Sequence, residues 1–245
     1  MNMVTKNEIK QVASLRQQKF RKELGIIVEE GRKMVEELLR SCFTMKALYA
    51  TKACHDLFLQ AETVTEVQMA QMSGQDTPPG ILAVVSIPET RQPSPSSRLI
   101  LALDGIANPG NMGTLVRTAE WFGINDIVCS PDCVEIWNPK VFQATMGSIF
   151  RINIFETELP AFLAQKKDEG DTIYGALLEG ENLFEVNGDK KGIIVIGSES
   201  HGIRNDVLPF ITHPITIPRV GASMTESLNA SVSAAIIMAE LTRPS

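Results

Sequence analysis

"RLILALDGIANPGNMGTLVRTAEWFGINDIVCS", residues 98–130, carries a strand, a helix and a second strand in succession. It opens on "RLILALDGI", a near-continuous apolar run that reads as a strand. "NMGTLVRTAEWFG" then has helical spacing and ends at Gly123. "DIVCS" is a second strand. The alternation continues downstream. "PKVFQATMGSIF" reads as a helix, "RINIFE" as a strand and "LPAFLAQKKDEG" as a helix. "TIYGALL" and "GIIVIGSE" are strands, "NDVLPF" a short helix and "PITIP" a strand, and a last helix closes the chain. Apolar strands separated by helices imply an α/β domain whose parallel sheet is covered on both faces.

Upstream, "SIPETRQPSPSSR", residues 86–98, has three prolines and a serine cluster and is the best linker candidate. It divides the chain into a first domain, residues 1–92, and a second, residues 93–245. In the first domain, "GIIVEEG", "KALYAT" and "GILAVVSI" read as strands. "RKMVEELLRS" carries helical spacing at Met34, Val35, Leu38 and Leu39. These predict a small α/β unit. Residues 5–22 read as one basic helix.

The 245 residues carry a formal net charge of -6, which argues against loose, charge-driven coating of nucleic acid. Residues 1–22 are the local exception, with Lys6, Lys10, Arg16, Lys19, Arg21 and Lys22 against Glu8 alone. A charge run of this kind is usually a solvated helix face; its functional alternative is an RNA-facing arm. The four cysteines, Cys42, Cys54, Cys129 and Cys133, form no CxxC pair and no metal-ligand pattern, and read as reduced thiols of a cytosolic protein. No metal is expected. The N-terminus lacks the apolar core of a secretory signal, and no apolar run approaches the ~18 residues of a membrane helix.

Parallel sheets bind ligands outside the carboxyl ends of their strands. Three loops there are rich in Gly, Asn, Ser and acidic residues: "ANPGNMGTLVRT", "SESHGI" and "RVGASMTESLN". With their strands as neighbours, Asn111, Arg117, Glu199, Ser227 and Asn229 would reach one pocket. The glycines of the first loop, Gly105, Gly110 and Gly113, do not fit the dinucleotide fingerprint, and no P-loop sequence exists. Each residue also has a plainer reading. Polar groups at a helix start are commonly caps, and an arginine on a helix is most often solvated or ion-paired.

These loops, in this order, resemble the three motifs of the SpoU family of RNA ribose 2'-O-methyltransferases, within the SPOUT superfamily. The first matches "NMGTLVRTAEWFGI" with Asn111 and Arg117, and the second "IVIGSESHGI" with Gly197 and Glu199. The third matches "IPRVGASMTESLNASVSAA" with Ile217, Pro218, Ser227, Leu228 and Asn229. The matches span roughly residues 98–241, and "VEEGRKMVEELL" is similar to the small ribosomal-protein-like substrate-binding domain many members carry. Two departures stand out: a third motif that is long between Pro218 and Ser227, and Gln143 and Thr145 where many relatives have Arg and Ser.

The resemblance implies a C-terminal trefoil knot, S-adenosylmethionine as cofactor, a homodimer and RNA, more specifically ribosomal RNA, as substrate. Small residues Ala230, Ser231, Ser233, Ala234 and Ala235 suit a helix threaded beside a chain crossing. Main-chain groups near Gly197, Ile217 and Leu228 would hold the adenosine. Arg117 would bind a phosphate and stabilise the developing alkoxide, since an arginine is almost never deprotonated. Asn111 would orient Arg117 or the ribose, Glu199 would pair with Arg117 or position the substrate, and Ser227 and Asn229 would hold the phosphate or Arg117. Transfer RNA as substrate, a non-catalytic assembly factor of the same fold and a small-molecule nucleotide enzyme are the competing readings.

Overall fold

The computed structural model describes residues 4–187, 190–221 and 225–244. The chain divides into two compact units: Met1–Glu89 with Trp137–Phe150, and Thr90–Ile136 with Arg151–Ser245. Residues 137–150, read from the sequence as part of the second domain, thus group with the first unit.

In the first unit, α1 (Lys6–Ser14) starts from a capping box: the Thr5 hydroxyl accepts from Glu8 N at 3.2 Å, and the Glu8 carboxylate accepts from Thr5 N at 2.7 Å. The single basic helix expected over residues 5–22 is two helices. The chain turns after Ser14, and α2 (Gln18–Leu24) runs on to Gly25, whose left-handed backbone ends it. The turn uses two of the six cations. Arg21 is buried and donates to Leu15 O at 2.7 Å and Arg16 O at 2.8 Å, while Arg16 donates to Gln71 O at 2.9 Å and to Ser73 O.

The remaining elements are β1 (Ile26–Glu30), α3 (Arg32–Leu39), β2 (Met45–Thr51), α4 (Lys52–His55), β3 (Glu62–Val64), α5 (Glu66–Met72) and β4 (Ile81–Ser86). They form a sheet of order β1-β4-β2-β3. Val12, Leu15, Met69, Met72 and Leu82 share one apolar cluster.

β5 (Leu99–Asp104) begins the second unit, followed by α6 (Pro109–Trp121) and β6 (Asp126–Cys129). α7 (Pro139–Thr145) belongs to the first unit, where Trp137 and Phe150 pack against Phe43 and Phe142 packs against Trp137 and Phe150. The helix expected over residues 139–150 stops at Thr145 because Met146 is left-handed and Gly147 follows with φ 96°. Ser148–Phe150 is a 3-10 turn.

The second unit continues with β7 (Asn153–Glu156), α8 (Leu159–Asp168), β8 (Ile173–Asn182), β9 (Gly192–Gly197), β10 (His213–Thr216) and α9 (Ala230–Thr242). Its six strands, in the order β10-β8-β9-β5-β6-β7, are all parallel. Every side chain of β5 is buried, which is why it reads as a continuous apolar run. The chain fills the sheet from β5 through β6 to β7, then returns to the other side of β5. The switch point therefore opens between the carboxyl ends of β5 and β9.

β8 runs four residues beyond "TIYGALL", through "EGEN", because its far half pairs with β10 across a register shift. The expected helix "NDVLPF" is only a 3-10 turn, Leu208–Phe210. The second half of the linker is docked: Ser94 N and the Ser97 hydroxyl both donate to the buried Asp126, which also accepts from Asn153 Nδ2 at 2.6 Å. All four cysteines are free thiols. Among the described residues, no cluster could hold a metal ion and no helix is long and apolar enough to cross a membrane.

Candidate active site

At the end of β5, Asn108 caps α6, its Oδ1 accepting from Gly110 N at 2.8 Å and Asn111 N at 3.1 Å, with Pro109 in the first turn. This fixes Asn111 at the mouth of the switch point. Its Nδ2 donates to Glu199 Oε1 at 3.0 Å.

Glu199 rides on a pinched turn after β9, where Ser198 N donates to Gly202 O at 3.1 Å and Gly202 N to Ser198 O at 2.9 Å. Gly197 makes the pinch possible. A Cβ there would collide with the backbone of Gly202 and Ile203.

Asn229 arrives from the third loop as the N-cap of α9. Its Oδ1 accepts from Ser231 N at 3.0 Å, Val232 N at 3.3 Å and Ser231 Oγ at 2.6 Å. Its Nδ2 donates to Asn111 Oδ1 at 3.2 Å and to Glu199 Oε1. One amide therefore does both jobs weighed from the sequence: one end caps the helix, and the other joins the three loops.

The structure brings Asn111, Glu199 and Asn229 together and leaves Arg117 and Ser227 out of that cluster. Six residues after Asn111 on the same helix, Arg117 lies about 9 Å further along and about 120° around it. It is exposed and makes no hydrogen bond or ion pair with any described residue. Within this chain the Glu199 carboxylate is held by two side-chain amides rather than by Arg117. Ser227 is exposed, two residues ahead of the cap, and so lies outside the helix.

Beside the cluster lies a cavity of about 770 Å³. Gly197, Ile217 and Leu228 all line it, with Leu177, Ile196 and Ile237 supplying apolar wall and Glu199 and Ser227 on its edge. The volume is within the range of small-molecule sites, and apolar walls with backbone polar groups suit a flat heteroaromatic ring. Residues 222–224 of the third motif lie outside the described residues.

Sequence reasoning missed several participants. Asn108 was signalled only by the Asn-Pro step that starts a helix. Ser200 and His201, joined through Oγ and Nδ1 at 2.7 Å, also line the cavity. Asp104, fully buried at the tip of β5, accepts from Arg204 N at 2.8 Å and Arg204 Nε at 2.6 Å. Arg204 NH1 reaches Asp132 Oδ1 at 3.6 Å. Burial by itself would lower the pKa of this guanidinium, but Asp104, Asp132 and Asp206 outweigh it and raise it. No spacing in the sequence links residues a hundred positions apart.

Residues 98–239 match the model of the SpoU rRNA Methylase family, and residues 6–83 match that of the MRM3-like substrate binding domain. The chain is 29% identical to the 23S rRNA (guanosine(2553)-2'-O)-methyltransferase RlmP of Bacillus subtilis, over 96% of this chain and 95% of that one. A solved structure described as a putative RNA methyltransferase of the TrmH family from Porphyromonas gingivalis superposes with a TM-score of 0.90 at 34% identity, covering 98% of both chains. The SpoU methyltransferase AviRb of Streptomyces viridochromogenes, solved with AdoMet, shares the fold at 19% identity with a TM-score of 0.84 over 97% of each chain. With three motif loops meeting at the switch point of a parallel sheet and a family match over more than half its length, the chain belongs to the SpoU rRNA methylase family.

Proposed function

We propose that the protein methylates a ribose 2'-hydroxyl of ribosomal RNA with S-adenosylmethionine, as a homodimer. The observation that carries this reading is the hydrogen-bonded meeting of Asn111, Glu199 and Asn229 beside the glycine-pinched cavity. The names of relatives aligned along nearly the whole chain support the ribose and the ribosomal RNA.

The cavity fits the cofactor. Backbone groups at Gly197, Ile217 and Leu228 would take the adenosine between apolar walls. When bound, the cofactor supplies an electrophilic methyl group on sulfur. The protein's part is orientation. Asn111 and Asn229 hold Glu199 in one place, and the trio positions the ribose. Ser227, at the cavity edge, would hold a phosphate.

Arg117 would stabilise the negative charge developing on the 2'-oxygen. Its distance from the trio along α6 fits a site completed by a second copy. α9 is apolar on its outward side as well, with Val232, Ala235, Ile236 and Ala239 in one stripe, and α6 packs beside it with Trp121 84% exposed. Such an all-round apolar helix calls for a cover. A second copy, pairing α6 and α9 with their equivalents, would supply the cover and bring Arg117 toward the partner's trio.

The trefoil knot belongs to the same reading. Close backbone approaches at Gly180 and Gly197, and the buried Ala230, Ser231 and Ala234 of α9, fit a crowded chain crossing.

In the first unit, Lys6, Lys10, Lys19 and Lys22 remain exposed and would meet RNA phosphates, while Arg16 and Arg21 are taken up by the fold. Free thiols suit a cytoplasmic protein.

The test is a transfer assay with methyl-labelled S-adenosylmethionine and unmodified ribosomal or transfer RNA, followed by digestion to nucleosides. Label in a 2'-O-methylated nucleoside from ribosomal RNA is expected. Label on a base ring would overturn the ribose chemistry, and label in transfer RNA alone would overturn the substrate.

A further inference from the structure

We infer that Asp104 and Arg204 are positioning residues that set the spacing of the Asn111–Glu199–Asn229 cluster. The inference deepens the proposed function and rests on that reading for its kinetic consequence, though not for its geometry.

The turn that carries Glu199 has two legs. The near leg is β9, held in register with β5 so that Gly197 sits opposite Asp104. The far leg, from Gly202 to Arg204, is tied to the near leg at Gly202 by the paired bonds with Ser198, and beyond that point it lies in no strand. Asp104 holds it instead. One carboxylate oxygen accepts from Arg204 N and the other from Arg204 Nε, a two-point clamp on both backbone and side chain. Both legs of the turn are thereby tied to the tip of one strand, β5. That strand also leads, through Gly105 and the Asn108 cap, into the helix that presents Asn111. The clamp therefore fixes Glu199 and Asn111 against the same reference point.

Arg204 extends the tie to a third strand end. Asp132, in the loop after β6, lies 3.6 Å from its NH1. The loops after β5, β6 and β9 thus share one cation at the switch point. Neither Asp104 nor Arg204 lines the cavity, so both act at second hand. A carboxylate with no exposed surface needs its cation, because an unpaired buried charge is strongly unfavourable. Losing the Nε half of the clamp would leave the far leg on the Arg204 N–H alone and let Glu199 drift from Asn111.

The test uses Arg204→Lys, which keeps the charge and the backbone N–H but loses the fixed Nε donor, with Arg204→Gln as the stronger variant. The first readout needs no activity: the side-chain amide signals of Asn111 and Asn229 by NMR in the full chain. In Arg204→Lys those two pairs of signals should shift toward free-amide positions, while the signal of Asn7, on α1 and distant in sequence from all three motif loops, stays put. The second readout is turnover and cofactor affinity in a cycle with Glu199→Gln. Turnover should fall about 10- to 100-fold with cofactor affinity unchanged, and Arg204→Lys should cost nothing further in the Glu199→Gln background.

Unmoved amide signals in both folded Arg204 variants would overturn the inference. So would independent, multiplying losses in the cycle, which would mean that Arg204 acts by itself. If wild-type protein methylates no RNA yet the amides still move, the positioning inference stands and the proposed function falls.

Discussion

Asn229 carries two loads on one amide, and substitution can separate them. Asn229→Ala removes both the cap on α9 and the bridge to Glu199 and Asn111. Asn229→Ser keeps an oxygen suited to the cap, since serine and asparagine are comparable N-caps, and deletes the Nδ2 donor. Loss of the cap is worth about 1 kcal/mol. Loss of a hydrogen bond at this exposed position adds about 0.5–1.5 kcal/mol. For a chain of this size, each kcal/mol corresponds to a melting-temperature change of about 2–4 °C. Asn229→Ala should therefore melt clearly below Asn229→Ser. Turnover should behave differently. Both variants release Glu199 from one of its two amide donors, and misplacement of a positioned group by about 1 Å can cost about 100-fold in rate. Methyl-transfer turnover should fall by similar factors in the two variants despite their different stabilities. If Asn229→Ser keeps full turnover while Asn229→Ala loses it, the cap is what matters, and the bridging role assigned to Nδ2 is wrong.

Arg117→Ala should abolish methyl transfer while cofactor binding by calorimetry survives; mixing it with Glu199→Gln subunits should restore some activity if the site is shared between copies, and no restoration would argue for a site within one chain. Glu29, on β1, is raised to about 8, first by burial and further by the Glu30 carboxylate, against the lowering effect of the Glu30 N–H. Its folded form binds the proton more tightly than the unfolded chain, so stability is full below about pH 4.5 and declines as pH rises through 8, by about 1.4 kcal/mol per unit and at most about 5 kcal/mol in all. Urea unfolding of the first unit, read by Trp137 fluorescence in a Trp121→Phe background, should show this decline, and Glu29→Gln should remove it; equal pH dependence in both proteins would refute the assignment. Cys133 is lowered to about 7, chiefly by the Cys129 thiol, with the Ser130 hydroxyl and the Ile106 N–H assisting. Alkylation at Cys133, followed by peptide mass spectrometry, should rise with a midpoint near neutrality, and a midpoint at the ordinary thiol value would contradict the contact.

How much could be read in advance depends on where each element finds its stabilising partners. β5, β6 and β9 are buried on both faces and spell themselves out as apolar runs. The far half of β8 does not, because "EGEN" is polar and mostly exposed and becomes strand only by pairing with β10, more than thirty residues later. The grouping of residues 137–150 was hidden for the same reason: the packing of Trp137 and Phe150 on Phe43 has no local signature. In the site, the loops after the strands pointed to five polar residues in one pocket, of which three meet. Asn111, Glu199 and Asn229 meet because each stands at a terminus of an element ending at the same sheet edge: a first helical turn, a strand end and a cap. Arg117 stands mid-helix, where the 3.6-residue period turns it away from that edge. The bland reading of Asn229 as a cap and the functional one were never alternatives. Capping holds the Asn229 oxygen against the first turn of α9, and with the oxygen held, the amide nitrogen has one direction left, toward Glu199 and Asn111. The rigidity of the cap is thus what makes the side chain useful at the site.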